Sequence, residues 1–146
     1  MPNLYPTIEL PTLISPQTSQ PKKYYPAPNF DFETGDFLFD SAGKIVMADG
    51  REAFEQWCLK ACMTERGTRL SYSDNYGVEM EDALKFNDAG AVQSSVVRTV
   101  TETILANPKA EYVKNFSFEL SGDELKISFD VKGRDWQEVS RLTLSY

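Results

Sequence analysis

Proline is spread so unevenly along this chain that it divides the sequence in two before any other feature is considered. Seven of the eight prolines, Pro2, Pro6, Pro11, Pro16, Pro21, Pro26 and Pro28, precede residue 30, and only Pro108 follows. Each proline fixes φ and removes a backbone donor, which excludes a helix or an inner strand from this stretch. Between them lie Leu4, Tyr5, Ile8, Leu10, Leu13, Ile14, Tyr24 and Tyr25, too many apolar residues for an ordinary solvated linker. The expected conformation of residues 1–29 is an extended arm with polyproline character. Composition alone also allows a disordered tail, but the regular apolar residues favour an arm that orders along a neighbouring subunit, with Tyr24 and Tyr25 as candidate contacts. Residues 30–146 are long enough for one domain with its own core and too short for two.

The pattern of that second part predicts an α+β domain. Asp36-Phe37-Leu38-Phe39-Asp40, a turn at Ser41 to Lys44 and Ile45-Val46-Met47-Ala48 read as a β-hairpin, followed by Asp49 or Gly50 as a helix cap. A first helix is expected over about Arg51 to Met63, because Phe54, Trp57, Cys58, Ala61 and Cys62 recur at helical spacing and form a core stripe. Val78 to Phe86 is weakly helical. A second main helix over about Ala91 to Ala106 presents Val92, Val96, Val97, Val100 and Ile104 on one face, and stops at Asn107-Pro108. The last forty or so residues read as three antiparallel strands, Glu111 to Leu120, Leu125 to Val131 and Trp136 to Tyr146, the second alternating apolar and polar side chains cleanly. Two main amphipathic helices on a mostly antiparallel sheet follow, with the terminal strand as an edge open to strand addition.

Charge and residue types remove several classes of function. A formal net charge of −7 opposes sequence-independent nucleic-acid binding and binding to anionic membranes. No apolar run reaches the roughly 18 to 20 residues of a membrane span, and the N-terminal residues lack the order of a secretory signal, so a soluble protein made in a cytoplasm is expected. The chain has no histidine, which removes His-based triads and His metal sites, and no phosphate loop or dinucleotide fingerprint is present. Cys58 and Cys62, four apart among apolar residues, read as buried reduced thiols. No cofactor is expected.

What remains is the polar and aromatic loop from Thr64 to Glu79, between two helical segments, where nothing looks like a core element. Long loops in compact domains usually serve function. Glu65, Arg66 and Arg69 can form a small ionic network or reach a partner. Tyr72 and Tyr76 supply aromatic interface area, and Gly67 and Gly77 supply turns.

The order of these parts resembles a known family. Phe30-Asp31-Phe32-Glu33-Thr34-Gly35-Asp36, a helix, Thr64-Glu65-Arg66-Gly67, Tyr76-Gly77, a second helix, an Asn107-Pro108-Lys109 stop and a closing β-meander look like the small baseplate wedge subunit of contractile phage tails. The nearest branch is that of phage tails and tail-like particles of Gram-positive bacteria, and the superfamily includes a small baseplate subunit of type VI secretion systems. The resemblance spans about Phe30 to Tyr146. It implies a structural protein of a virion or tail-like particle, assembled in the host cytoplasm. The implied partners are other baseplate wedge proteins, tail hub or tube-initiating proteins and the first ring of sheath protein. Where the superfamily often carries Glu-Pro-Arg, this chain has Asn107, Pro108 and Lys109, so proline and one positive charge are kept and the glutamate is not. Pro108 and Lys109 are carried over as candidate contacts.

Some relatives are labelled lysozyme-like, which makes a peptidoglycan hydrolase the first alternative and a free-standing adaptor the second. Glycoside hydrolysis requires two carboxyl groups in different environments, one of them held protonated. Glu65 stands beside Arg66, and an adjacent cation favours the ionised form, opposite to the need of a general acid. Asp74 or Glu79 would have to serve as the partner carboxylate. A non-enzymatic scaffold is the expectation.

Overall fold

The strict alternation of apolar and polar residues near the C-terminus builds the main sheet. In the computed structural model, which describes residues 24–146, β5 (Ala110–Ser121), β6 (Glu124–Gly133) and β7 (Val139–Ser145) form an antiparallel sheet in the order β5-β6-β7. Residues 1–23, with the arm expected there, lie outside the described residues. The pairing of Ile127 with Leu144 and Phe129 with Leu142 puts all four on one buried face, where each side chain contributes roughly 1.5–3 kcal/mol. The opposite face is polar. There a bulge in β5 places Asn115 at φ 57°, and Asn115 and Arg141 both bond the Asp130 carboxylate, holding it below the usual carboxylate range.

The third strand is shorter than expected. Trp136 belongs to the turn before β7 and packs its ring at 5.3 Å from Phe54 and 5.9 Å from Tyr24. A large aromatic beside a hydrophobic helix gains more from that burial than from an exposed strand position.

Helix α1 (Gly50–Cys62) and helix α3 (Ala89–Leu105) cover the apolar face, α1 against β7 and α3 against β5. Phe54, Cys58, Ala61 and Cys62 are buried as the stripe predicts, and the two cysteines are free thiols, burial pushing Cys62 up to about 12. Asp88 caps α3 by accepting from the Ala91 amide at 2.9 Å, so the helix starts two residues earlier than Ala91. Between them α2 is a single turn and a half, Met80–Leu84, shorter than the expected Val78 to Phe86.

The N-terminal described residues do not make the simple hairpin read from the sequence. β1 (Ala27–Pro28) pairs with β4 (Met47–Ala48), β2 (Phe30–Asp31) pairs with β3 (Asp36–Phe37), and Phe39 bridges Ile45. At the junction Asn29 donates to the Val46 carbonyl, Val46 to Leu38 and Leu38 to Asn29, a closed ring of bonds at 2.8, 2.8 and 2.9 Å. Three β arms therefore branch from one point. The base of this branched ribbon is fastened to α1 through Asn29, which donates to Glu52 and accepts from Gln56.

Candidate functional site

The Thr64 to Glu79 loop is tied at its base. Val78 donates to Thr64 at 2.9 Å and Arg66 donates to Val78 at 2.8 Å, so the two ends of the loop run side by side as a short parallel bridge. Gly77, at φ 99°, makes this closure possible: a Cβ there would stand 2.7 Å from the Thr64 carbonyl oxygen. Gly67, at φ 77°, also occupies the left-handed region, but it faces open space. Val78 is buried in the main core, which corrects the expectation that the loop holds no core element.

The ionic network expected of Glu65, Arg66 and Arg69 takes a different form. Arg66 turns inward, donating to the Gly77 carbonyl at 3.1 Å, to Thr103 at 3.3 Å and to Glu79 at 3.4 Å. Glu65 accepts from the Met80 amide at 3.1 Å, at the start of α2. The two neighbours in sequence thus serve different ends of the loop base. Arg69 forms no ion pair among the described residues and lines a polar hollow of about 410 Å³ with Glu65 and Tyr72.

Two threonines that no sequence motif singles out hold this base to the core. Thr99 accepts from the Glu79 amide at 2.8 Å, and Thr103 donates to Gly77 at 2.6 Å; both are fully buried on α3. The signal for them was present: threonines four apart fall on the same helical face as Val96, Val100 and Ile104, an apolar stripe with two hydroxyls in it.

The remaining candidates gather on one band of surface. The rings of Tyr72 and Tyr76 meet at 4.6 Å, tilted by 39°, and Tyr76 and Trp57 pack edge to face at 5.7 Å, where burial raises the Tyr76 hydroxyl pKa above its ordinary value. Trp57 is only half-buried, so it is shared between the core and this surface, which the helical stripe did not reveal. On its other side Trp57 lines a groove of about 430 Å³ together with Tyr24, Tyr25, Gln56, Pro108 and Lys109. Tyr24 packs edge-on against Phe54 and its hydroxyl accepts from Asn107 at 3.4 Å; burial raises its titration point. Tyr25 is 82% exposed. Lys109 pairs with Asp135, and Asn107, standing where the resemblance has glutamate, accepts from the Lys109 amide at 3.0 Å. Among the described residues the buried side-chain oxygen of Gln56, at the wall of this groove, has no hydrogen-bond partner.

For hydrolytic chemistry the arrangement offers little. Among the described residues Glu65 is the only carboxylate lining the polar hollow; of the two suggested partner carboxylates, Asp74 does not line it and Glu79 is drawn to Arg66. Glu81 joins Glu65 at a smaller hollow of about 230 Å³ beside Tyr146. Among the described residues no group of His, Cys, Asp and Glu side chains is arranged to hold a metal ion.

Comparison with known proteins adds four likenesses. Residues 28–135 match the family described as contractile injection system sheath initiator. The chain is 28% identical over 104 residues to the phage-like element PBSX protein XkdS of Bacillus subtilis strain 168, covering 70% of each. Its fold is shared with a Geobacter sulfurreducens protein described as a candidate tail lysozyme, at 16% identity and a TM-score of 0.56, over 70% of this chain and 95% of that one. A chain of the anti-feeding prophage baseplate aligns at 20% identity with a TM-score of 0.49, over 84% of this chain and 85% of that one.

Proposed function

The chain belongs to the contractile injection system sheath initiator family and is a structural baseplate subunit, and from that premise we propose how it makes its contacts. The band centred on Trp57 is the surface that meets the other wedge proteins. The observation that carries this reading is the convergence of three stretches far apart in sequence, Tyr24-Tyr25, Tyr72 to Tyr76 and Pro108-Lys109, around one partly buried tryptophan. Aromatic side chains at the centre of a patch, with a lysine at its rim, have the composition of a protein interface. Residues 1–23 continue from Tyr24 at the groove wall, and we assign them to a clasp on a neighbouring subunit.

Among the described residues no strand pairs with the outer edge of β7, and that edge supplies a second surface. Leu125 and Tyr146 exchange both backbone bonds, so the alternation of an antiparallel ladder turns the N–H and C=O groups of Arg141 and Thr143 away from β6. Strand addition by the first ring of sheath protein fits that edge. Glu65, in this reading, holds the loop base and performs no catalysis.

The test is to purify particles from cells whose only copy carries Tyr25→Ala and Tyr72→Ala. These exposed positions should leave the fold intact and cut the number of sheathed tails at least tenfold in electron micrographs. Normal tails would sink the reading. Glu65→Gln keeps an acceptor for the Met80 amide, so it should assemble normally and leave any peptidoglycan-degrading activity of the particles unchanged; loss of such activity would establish the hydrolase instead.

A further inference from the structure

The branched ribbon carries a second and separate apolar surface. Phe37, Leu38, Phe39, Ile45, Val46 and Met47 are between 37% and 55% exposed. Successive side chains on an extended segment point to opposite faces, so a run of three exposed apolar residues on each of two paired segments means that both faces of the arm are apolar and open. A hairpin that packs on its own domain shows one such face, and a two-stranded ribbon alone is marginally stable. Here the base is fixed by the ring at Asn29, Leu38 and Val46 and by the buried Ala48, while the other described residues leave the arm beyond it uncovered.

The charges beside it are one-sided. Among the described ribbon residues, Ala27 to Ala48, four carboxylates, Asp31, Glu33, Asp36 and Asp40, stand against one cation, Lys44, and three of the carboxylates are held in place by backbone N–H groups: Asp31 by Glu33, Asp36 by Phe37, and Asp40 by Ala42 and Lys44. A second copy of this chain would bring another acidic ribbon and a net charge of −7, so like charges would meet. We propose that this ribbon inserts into a cleft of a different protein, with apolar walls covering both faces of the arm and Lys or Arg residues at the rim. It is distinct from the Trp57 band, and it rests on the baseplate reading only in that the partner is sought in the same particle.

The experiment places a photo-crosslinking benzoylphenylalanine at position 39 in the full chain, irradiates cells producing the whole particle, and maps adducts by mass spectrometry both in cells and in purified particles. The expected result is an adduct with one other protein, at a segment combining apolar residues with Lys or Arg. Asp36→Lys together with Asp40→Lys should reduce that adduct at least tenfold, while the isolated variant melts within about 3 °C of the parent. No adduct, an adduct with a second copy only, or a yield indifferent to the charge reversal would overturn the proposal. If the protein is absent from particles yet the charge-dependent adduct forms in cells, the baseplate reading fails and the ribbon proposal stands.

Discussion

The loop from Thr64 to Glu79 and the ribbon from Ala27 to Ala48 have exchanged the positions that their compositions suggest. The loop is polar, yet its base is sunk against α3 and fastened by buried hydroxyls. The ribbon is rich in phenylalanine and aliphatic residues, yet its outer arm is exposed on both faces. Polarity tells where a residue can be placed at low cost; hydrogen-bond partners and anchoring decide where it is placed. A buried polar group is tolerable when paired, and an exposed apolar group is tolerable when an assembly covers it later.

The largest effect that would break this contrast lies at the loop base. Gly77→Ala should destabilise the fold by roughly 3 kcal/mol in urea unfolding, from left-handed strain plus collision with the Thr64 carbonyl. A loss below 1 kcal/mol would mean that the two loop ends are free to separate. Next is Thr103→Val, which leaves the Gly77 carbonyl with one donor fewer and should cost about 2 kcal/mol. Faster hydrogen exchange at Val78 than at Val131 in this variant would show the base opening ahead of the sheet. Gly67→Ala, at the open side of the same loop, should cost only about 1 kcal/mol because strain acts there without a clash. The smallest effect belongs to the ribbon: Ile45→Thr should shift stability by no more than about 0.5 kcal/mol, and a loss above 2 kcal/mol would show that the arm is core after all.

Much of the fold was legible because it depends on periodicity. Phe54, Cys58 and Cys62 on α1, Val96, Val100 and Ile104 on α3, and Ile127, Phe129 and Val131 on β6 lie where a period of 3.6 or 2 places them. The candidate residues were legible as types and not as partners. Arg66 was recognisable as an ionic residue, but the choice of Glu79 over the adjacent Glu65 depends on which way the chain turns after Gly67. Trp57 fell on the core stripe, and its exposed half depends on Tyr24 and Tyr76 arriving from 33 residues before it and 19 after it. The ribbon was read as one hairpin because each strand of it pairs acceptably with its nearest neighbour. The ring at Asn29 forms because α1 holds Asn29 from outside the ribbon.

By itself, then, the sequence determined the class of the domain, its helices, its sheet and the absence of imidazole chemistry, since these follow from local spacing and residue type. Only the tertiary structure decided that Tyr24-Tyr25, Tyr72 to Tyr76 and Pro108-Lys109 share a surface, that Thr99 and Thr103 hold the loop, and that the ribbon is open on both faces. Those relations join residues far apart along the chain, and no local periodicity encodes a distance between segments that only the packed core brings together.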